Sequence, residues 1–267
     1  MITIVQYTFL YFVNLNFKKP EMNNNTTAPL IGILGWEARE NNALSQLGHI
    51  PGDIAHPSTF SFPVLYKRIE GAYYETIIVE PSTKVLKAMI ETAKEMEQRA
   101  IKAIMTDCGF NAIFQQELAN AVNVPVFTSS LLQVPLAYMM LKEGQQVGII
   151  AAYKEYLTEE HLRKVGINEN IPVCILGLEN TEFSKVRADS LAIMDVDKFA
   201  KEVVSVARRL VDENQEVGAI VLECTDLPPF AAAIRKETGL PVFDIVTLAY
   251  MVYETIKGER WGKGNNL

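Results

Sequence analysis

A repeated pattern with a fixed spacing of 116 residues runs through most of this chain. The segment Ala103–Cys108, which ends in Thr-Asp-Cys, is echoed by Ala219–Cys224, which ends in Leu-Glu-Cys. The same spacing relates two further pairs of segments, residues 124–127 to 240–243 and residues 31–34 to 147–150. Three landmarks that share one spacing predict a duplicated α/β unit with a cysteine at the same place in each copy.

The charge and the cysteine content narrow the class of protein. The chain has 25 basic and 32 acidic residues, a net charge of −7 and no basic stripe, which argues against binding to nucleic acid. Its three cysteines are an odd number without close spacing, so we expect no disulfide framework and a cytoplasmic location. The histidines His49, His56 and His161 lack the spacing of metal ligands, and we expect them in loops or on the surface, with no metal site.

The sequence divides into four predicted parts. They are an N-terminal appendage at residues 1–28, a first α/β half at 29–143, a second α/β half at 144–258 and a C-terminal tail at 259–267. The appendage contains an apolar run from Ile2 to Val13, which is too short to span a bilayer and lacks the features of a secretory signal. We expect this appendage to be poorly ordered or to reflect a misassigned start, with Met22 as the alternative initiator, and we expect no membrane association.

Short apolar runs alternate with amphipathic stretches, as in a parallel sheet built from βαβ units. The predicted strands are 30–35, 76–79, 101–106, 124–127, 146–151, 173–176, 219–223 and 242–244. The predicted helices are 82–99, 111–121, 131–142, 155–165, 196–213, 228–238 and 246–257. This alternation predicts an α/β fold of two pseudo-symmetric parallel-sheet halves with an active cleft between them.

The stretch from Asn41 to Ala72 departs from this rhythm, because it is rich in proline and aromatic residues. Its counterpart in the second copy, residues 168–189, has a different sequence. A long irregular stretch in an α/β domain is often functional. We therefore interpret 41–72 as a lid or a contact in a homo-oligomer, with an ordinary surface loop as the alternative.

Cys108 and Cys224 each follow a strand predicted to be buried, at the edge of the sheet where α/β proteins bind ligands. The helix that follows each cysteine is expected to favour the thiolate and lower the pKa of the thiol. Two thiols on opposite walls of one cleft suit removal of a proton from one face of a carbon and its return to the other face. We expect Cys174, within an apolar strand, to be a core residue instead.

The segment Glu223–Pro228 also resembles the second cysteine motif of the aspartate/glutamate racemase superfamily, Gly-Cys-Thr-(His or Glu)-x-Pro. That superfamily includes amino-acid and hydantoin racemases, maleate isomerase and arylmalonate decarboxylase. The resemblance extends over about residues 29–257 and implies chemistry at an activated α-carbon without a cofactor. It implies that Cys108 and Cys224 are the base and acid pair, and that Thr225 lies beside a substrate carboxylate.

The chain also departs from that family pattern around the cleft. The first cysteine is followed by Gly109, Phe110 and Asn111 in place of Asn-Thr, and Asp226 stands where glutamate racemases have His. Trp36 follows the first strand in place of the family's Asp-Ser. These residues complete the predicted substrate-binding set, in which Trp36 and Phe110 indicate a larger or less polar substrate or, alternatively, belong to the core.

Three functions remain open on this reasoning. The first is a cofactor-independent racemase or isomerase of a small carboxylate, amino-acid or hydantoin-like compound. The second is a decarboxylase or cis-trans isomerase that uses one cysteine on the same scaffold. The third is a small-molecule-binding protein without turnover. The presence of both cysteines favours the first, and the loss of Asn-Thr after Cys108 favours the third.

Overall fold

The computed structural model describes residues 28–37, 43–188 and 192–258, so nearly all of the predicted appendage and all of the predicted tail lie outside it. Its strands are β1 (Ile31–Trp36), β2 (Val64–Ile69), β3 (Ala103–Thr106), β4 (Val126–Phe127), β5 (Gln146–Ala151), β6 (Val173–Gly177), β7 (Val217–Leu222) and β8 (Val242–Phe243). Within the described ranges these strands form two parallel four-stranded sheets, ordered β2-β1-β3-β4 and β6-β5-β7-β8. The predicted α/β fold class is confirmed.

The helices cover both sheets. They are α1 (Thr83–Gln98), α2 (Gln115–Ala121), α3 (Val134–Met139), α4 (Glu159–Lys164), α5 (Glu182–Ala188), α6 (Val196–Glu213), α7 (Ala231–Thr238) and α8 (Ile245–Ile256). Short 3₁₀ turns precede several of them, including Gly109–Phe114 before α2 and Pro228–Phe230 before α7. No helix in the described ranges is both long and apolar enough to cross a membrane.

The strand pairs β1–β3 and β5–β7 repeat each other residue by residue. Ile31 of β1 pairs with Ala103 of β3, and 116 residues later Val147 of β5 pairs with Ala219 of β7. The strand ends repeat as well. The Asp107 N–H donates to the Leu34 carbonyl at 3.0 Å, and the equivalent Glu223 N–H donates to the Ile150 carbonyl at 2.9 Å. The sheet registers therefore carry the 116-residue spacing of the sequence.

The longest helix in each half packs on its sheet in the same way. Buried apolar residues occur in α1 at positions 85, 89, 93 and 96 and in α6 at positions 199, 203, 207 and 210, which is one face of each helix. The last residue of each set lies directly over a glycine of the central strand. A β-carbon on Gly32 would be 2.5 Å from Met96 Sδ, and one on Gly148 would be 2.6 Å from a methyl group of Leu210. Glycine at both positions lets the helix approach the sheet.

One predicted strand is wrong. Residues 76–79 lie in a π-helical turn, Glu75–Val79, in which Ile77 and Ile78 are buried. The strand at this place in the topology is β2, which lies within the stretch 41–72 that we predicted to be irregular. β2 is an edge strand and carries the charged residues Lys67 and Arg68, so its sequence lacks the continuous apolar run of a central strand.

The part of the 41–72 stretch around Phe60 and Phe62 packs against the C-terminal helix α8. Phe62 stacks on Tyr253 of α8 with ring centroids 3.8 Å apart, and Phe60 lies beside Phe62 at 5.3 Å. Both phenylalanines are buried. These residues form a second apolar cluster on the face of the first sheet opposite α1. The expected role of the stretch as a lid or an oligomer contact stays a prediction.

Candidate active site

A cavity of about 50 Å³ lies at the carboxyl ends of β1, β3, β5 and β7, where the two halves meet. A single water needs roughly 10–15 Å³ by this measure, so the cavity suits a small molecule. Its lining residues are Trp36, Tyr74, Ile78, Asp107, Cys108, Gly109, Phe110, Ala152, Tyr153, Phe183, Glu223, Cys224, Thr225 and Asp226. The described residues of the stretch 43–72 are not among them.

The two repeated cysteines meet in this cavity. Cys108 lies two residues beyond β3 and Cys224 two residues beyond β7, and their side chains are only 7% and 8% exposed. Hydrogen bonds from side chains fix both strand ends. The Thr106 hydroxyl contacts the Cys108 carbonyl at 3.1 Å, and the Ser130 hydroxyl, from the first half, donates to the Leu222 carbonyl at 2.5 Å. The duplicated topology thus holds one thiol from each half over a common space.

The expected lowering of the thiol pKa is wrong. Burial raises the pKa of Cys108 well above its usual range, and Glu223 is the next contributor in the same direction. Burial also raises the pKa of Cys224, followed by the charge of Asp226. Backbone N–H groups act in the opposite direction but do not outweigh these effects, because a short 3₁₀ turn instead of an α-helix follows Cys108.

Asp226 lies within reach of the second thiol. Cys224 Sγ is 3.7 Å from Oδ2 of Asp226, in the geometry of a weak thiol-to-carboxylate hydrogen bond. Asp226 is itself buried at the edge of the cavity. The pair therefore provides a thiol with a nearby group that can accept its proton.

Glu223 is the most deeply buried carboxyl group of the cavity. Its side chain is 0% exposed, and its Oε2 accepts a hydrogen bond of 3.1 Å from the Ala152 N–H at the end of β5. Its Oε1 has no hydrogen-bond partner among the described residues. Burial raises the pKa of Glu223 to about 8. This side chain is consequently a neutral acid at neutral pH.

Asp107 contributes a third carboxyl group from the first half. It precedes Cys108 as Glu223 precedes Cys224, and it is buried. The Tyr66 hydroxyl of β2 donates a hydrogen bond to Asp107 Oδ2. The edge strand that the sequence pattern missed therefore positions a cavity residue.

The opposite wall of the cavity is aromatic. Tyr153 is in contact with Tyr74 and with Phe183, with ring centroids 5.6 Å apart in both pairs. Trp36 and Phe110 also line the cavity, and the Trp36 Nε1–H is buried without a hydrogen-bond partner in the described structure. None of the lining residues within the described ranges is Lys, Arg or His. Aromatic faces and carboxyl groups without basic side chains create a site that favours positive charge.

The structure assembles all but one of the residues predicted from the sequence. Those that line the cavity are Cys108, Cys224, Trp36, Gly109, Phe110, Thr225 and Asp226. Asn111 is buried but does not line the cavity, and its Oδ1 has no hydrogen-bond partner in the described structure. It lies within the 3₁₀ turn that follows Cys108.

The prediction missed seven of the lining residues, of which three are aromatic. Tyr153 follows β5 by two residues, so the rule that flagged Trp36 after β1 would also have found it. Phe183 belongs to α5, a helix in the stretch 168–189, whose sequence differs from that of its counterpart 41–72. No repeat or motif in the sequence marks it.

Two residues outside the cavity, His161 and Cys174, differ in burial from what the sequence predicted. His161 is buried in α4, where its ring contacts that of Phe110 edge-on at 5.7 Å, so its expected surface position is wrong. Burial lowers the pKa of His161 to about 4. Cys174 lies within β6 as predicted, but it is half-buried because β6 is an edge strand. Among the described residues, no three His, Cys, Asp or Glu side chains are placed to hold a metal ion.

Sequence comparison finds relatives named as lyases. The chain is 27% identical over 220 residues to a dimethylsulfoniopropionate lyase of Durusdinium sp. clade D, with 80% of this chain and 73% of that protein covered. It is 29% identical over 224 residues to dimethylsulfoniopropionate lyase 3 of Emiliania huxleyi, with 80% of this chain but 58% of that protein covered. This chain therefore spans only part of its relatives' length.

Solved structures share the fold at low sequence identity. An aspartate racemase homologue from Pyrococcus horikoshii OT3 has a TM-score of 0.56 at 18% identity, with 87% of this chain and 100% of that chain covered. Allantoin racemase from Pseudomonas fluorescens has a TM-score of 0.58 at 16% identity, with 85% and 90% covered. A Gly74Cys mutant of arylmalonate decarboxylase has a TM-score of 0.55 at 16% identity, with 88% and 97% covered.

A model of a protein family also matches this chain. The sequence model of the Asp/Glu/Hydantoin racemase family matches residues 63–251, which are most of the chain and include both strand-end cysteines. The two-sheet architecture agrees with the solved structures of that fold. This chain belongs to the Asp/Glu/Hydantoin racemase family.

Proposed function

We propose that this chain is a lyase that eliminates dimethyl sulfide from dimethylsulfoniopropionate or a closely similar β-sulfonio carboxylate. The observation that carries the proposal is the composition of the cavity, in which two thiols face aromatic rings and carboxyl groups without a basic side chain among the lining residues. The lyase names of the sequence relatives support the same reaction class. Racemisation, which belongs to the isomerase class expected from the sequence, is the alternative.

The aromatic wall suits the cationic end of such a substrate. Dimethylsulfoniopropionate is a propionate with a dimethylsulfonium group on C3. A sulfonium cation cannot donate a hydrogen bond, so it is recognised by the faces of aromatic rings and by negative charge. Tyr74, Tyr153 and Phe183 supply such faces on one side of the cavity, and the carboxyl group of Asp226 supplies charge.

The elimination requires a base at C2. The base removes the C2 proton, the electron pair of that bond forms the C2–C3 double bond, and the C3–S bond breaks with its electrons on sulfur. The products are acrylate, dimethyl sulfide and one proton. No oxidant or reductant enters the balance.

Cys224 is the base in this proposal, because its sulfur lies 3.7 Å from the Asp226 carboxylate. Burial and carboxyl groups raise the pKa of Cys224 in the empty cavity, so the resting thiol is protonated. A bound sulfonium cation acts in the opposite direction and lowers that pKa. Asp226 then accepts the thiol proton, the thiolate takes the C2 proton, and Asp226 releases its proton to solvent.

Racemisation is the second candidate, and one specific observation favours it. Cys108 and Cys224 lie at equivalent positions of the repeat and line the same cavity, as a two-base mechanism requires. After the proton is removed, a racemase returns a proton to the opposite face of the carbon. In a lyase the leaving group departs instead, and no proton returns. The preference of the site for positive charge is not needed for racemisation of an amino acid or a hydantoin, so we rank the lyase first.

The products in heavy water distinguish the two candidates. Purified protein is incubated with dimethylsulfoniopropionate, and dimethyl sulfide is measured by gas chromatography while acrylate is followed by proton NMR. We expect both products in equal amounts, and slower release from substrate deuterated at C2. Absence of dimethyl sulfide together with exchange of α-protons in amino acids, hydantoins or 2-substituted diacids would replace the lyase proposal by the racemase.

A further inference from the structure

The carboxyl group of Glu223 is half-paired inside the cavity. The Ala152 N–H donates a hydrogen bond to Oε2 at 3.1 Å. Oε1 is fully buried and has no hydrogen-bond partner among the described residues. A buried polar atom without a hydrogen-bond partner destabilises the folded protein. The proton abstraction described above assigns no task to Glu223, so the unpartnered oxygen calls for a ligand that completes its hydrogen bonding.

The geometry around residue 109 gives this oxygen a defined place. A β-carbon on Gly109 would lie 2.2 Å from Oε1 of Glu223 and 2.1 Å from its carbonyl oxygen. Gly109 follows Cys108 in the first half, whereas Glu223 belongs to the second half. The Glu223 carboxyl group therefore crosses between the halves and lies beside the first thiol, against the glycine that borders the cavity.

The surroundings of Glu223 favour its protonated form. Burial is the main cause of its raised pKa of about 8, and Asp226 raises the pKa further. The other titratable groups that share the cavity are the thiols of Cys108 and Cys224, the carboxyl group of Asp107 and the phenols of Tyr74 and Tyr153. Because Oε2 accepts the Ala152 N–H, the acidic proton resides on Oε1 and makes that oxygen a hydrogen-bond donor.

We propose that Glu223, as a neutral carboxylic acid, donates a hydrogen bond from Oε1 to the carboxylate of the substrate. This inference rests on the proposed function, in which the substrate is a small carboxylate whose C2 lies next to a thiol. With no basic side chain among the described lining residues, a neutral acid supplies the donor that an ammonium or guanidinium group supplies elsewhere.

The same hydrogen bond assists the proton abstraction. When the C2 proton leaves, negative charge moves from C2 onto the carboxylate oxygens, and a donor already aimed at one of them binds the resulting enediolate more strongly than the carboxylate. An ionised Glu223 would instead place two carboxylates in contact. Binding of the substrate carboxylate should therefore weaken as Glu223 ionises.

Propionate is a suitable probe, because it carries the carboxylate but has no leaving group. Its affinity is measured by titration calorimetry at about pH 6.5 and about pH 9 for the wild type and for Glu223→Gln. With a pKa of about 8, the neutral fraction of Glu223 falls roughly tenfold over that interval, and we expect the wild-type affinity to fall about tenfold with it. Glu223→Gln keeps a neutral N–H donor at both values, so its affinity should change by less than about twofold.

A direct titration of Glu223 covers the case in which Glu223→Gln does not fold. The wild type is labelled with ¹³C at the side-chain carboxyl of glutamate, and the resonance of Glu223 is followed against pH by NMR with and without propionate. Ionisation near pH 8 that moves upward when propionate binds supports the proposal. A pH-independent affinity of the wild type, or an ionisation below about pH 5, overturns it.

The outcome is separable from that of the lyase reaction. One outcome is that propionate affinity falls as Glu223 ionises but the protein releases no dimethyl sulfide. This result would support the role of Glu223 and reject the lyase. Release of dimethyl sulfide with propionate binding that is the same at both pH values would support the lyase and reject the role of Glu223.

Discussion

Glu223 occupies the space in which a side chain on residue 109 would lie, since a β-carbon on Gly109 would be 2.2 Å from Glu223 Oε1. Gly109 follows Cys108 in the first half, and Glu223 precedes Cys224 in the second half. This contact accounts for a departure noted in the sequence, where glycine follows Cys108 in place of the family's asparagine. A polar group still borders the first thiol, but it enters from the second half.

Gly109→Ala should destabilise the protein. The added methyl group meets the Glu223 carbonyl oxygen at 2.1 Å, and because that oxygen belongs to the backbone at the end of β7, the strand end must move. We expect a loss of about 1–3 kcal/mol in the free energy of unfolding, measured by urea denaturation. Gly218→Ala is the matched control, because its β-carbon meets only the flexible end of Gln145. An equal effect of both substitutions would contradict the close packing of Gly109 on Glu223.

Stability should fall with rising pH because of Glu223. Its pKa is about 8 in the folded protein against an ordinary value of 4.5, so the folded state holds a proton that the unfolded state has lost in this window. More protons on the folded state mean that the free energy of unfolding decreases as pH rises from about 4.5 to about 8. Glu223→Gln removes this contribution, and its stability relative to the wild type should increase over the window.

The difference between the two proteins isolates this group. His161, whose pKa is lowered to about 4, has the opposite sign of pH dependence but is present in both proteins and cancels. Urea denaturation at several pH values gives the comparison. A difference that is constant from about pH 5 to about pH 8 would show that Glu223 is ionised in the folded protein.

The cavity thiols should be poorly reactive in the empty protein at neutral pH. Burial and the neighbouring carboxyl groups raise the pKa of Cys108 and of Cys224, and the thiolate is the form that alkylating agents attack. We expect both to react with iodoacetamide more slowly than free cysteine at about pH 7, and faster as pH rises, as mapped by mass spectrometry after brief exposure. Labelling at neutral pH faster than that of free cysteine would mean that helix and turn N–H groups dominate after all.

Loss of an aromatic face should weaken binding of a cationic substrate. Phe183→Leu keeps an apolar side chain at the cavity wall but removes the ring that packs beside Tyr153. A cation–π contact contributes about 0.5–2 kcal/mol, so the KM for dimethylsulfoniopropionate should rise about 2- to 30-fold. Phe199→Leu is the control, since Phe199 stacks on Phe183 at 5.8 Å but does not line the cavity. An unchanged KM for Phe183→Leu would argue against an aromatic cation site.

The repeat in the sequence predicted the architecture and the meeting of the two cysteines, because a parallel sheet fixes where its strand ends lie. Cys108 and Cys224 follow equivalent strands, so the fold alone brings them together. The edge strand β2 escaped prediction because the charged residues Lys67 and Arg68 interrupt its apolar run. The sequence also did not predict that Glu223 raises the pKa of the two thiols. A carboxyl group next to a strand-end cysteine shows its protonation state only once its burial is known.

The repeat in the sequence does not predict that Phe183 lines the cavity. Phe183 lies in α5, within the stretch 168–189 whose sequence is not repeated in the first half, and it nevertheless lines the cavity. The repeated segments carry the thiols, and the stretch 168–189 adds an aromatic ring to the same cavity. Substrate preference therefore depends partly on residues that the 116-residue spacing does not reveal.

The central claim is that Cys224 removes the C2 proton of a β-sulfonio carboxylate. The most direct measurement is the rate of dimethyl sulfide release by Cys224→Ser compared with Cys174→Ser, the same substitution at a cysteine of β6 outside the cavity. Loss of a general base lowers rates by about 10²–10⁴, so Cys224→Ser should fall by at least about a hundredfold while Cys174→Ser stays within about twofold of the wild type. Release by Cys224→Ser at the wild-type rate would contradict the claim.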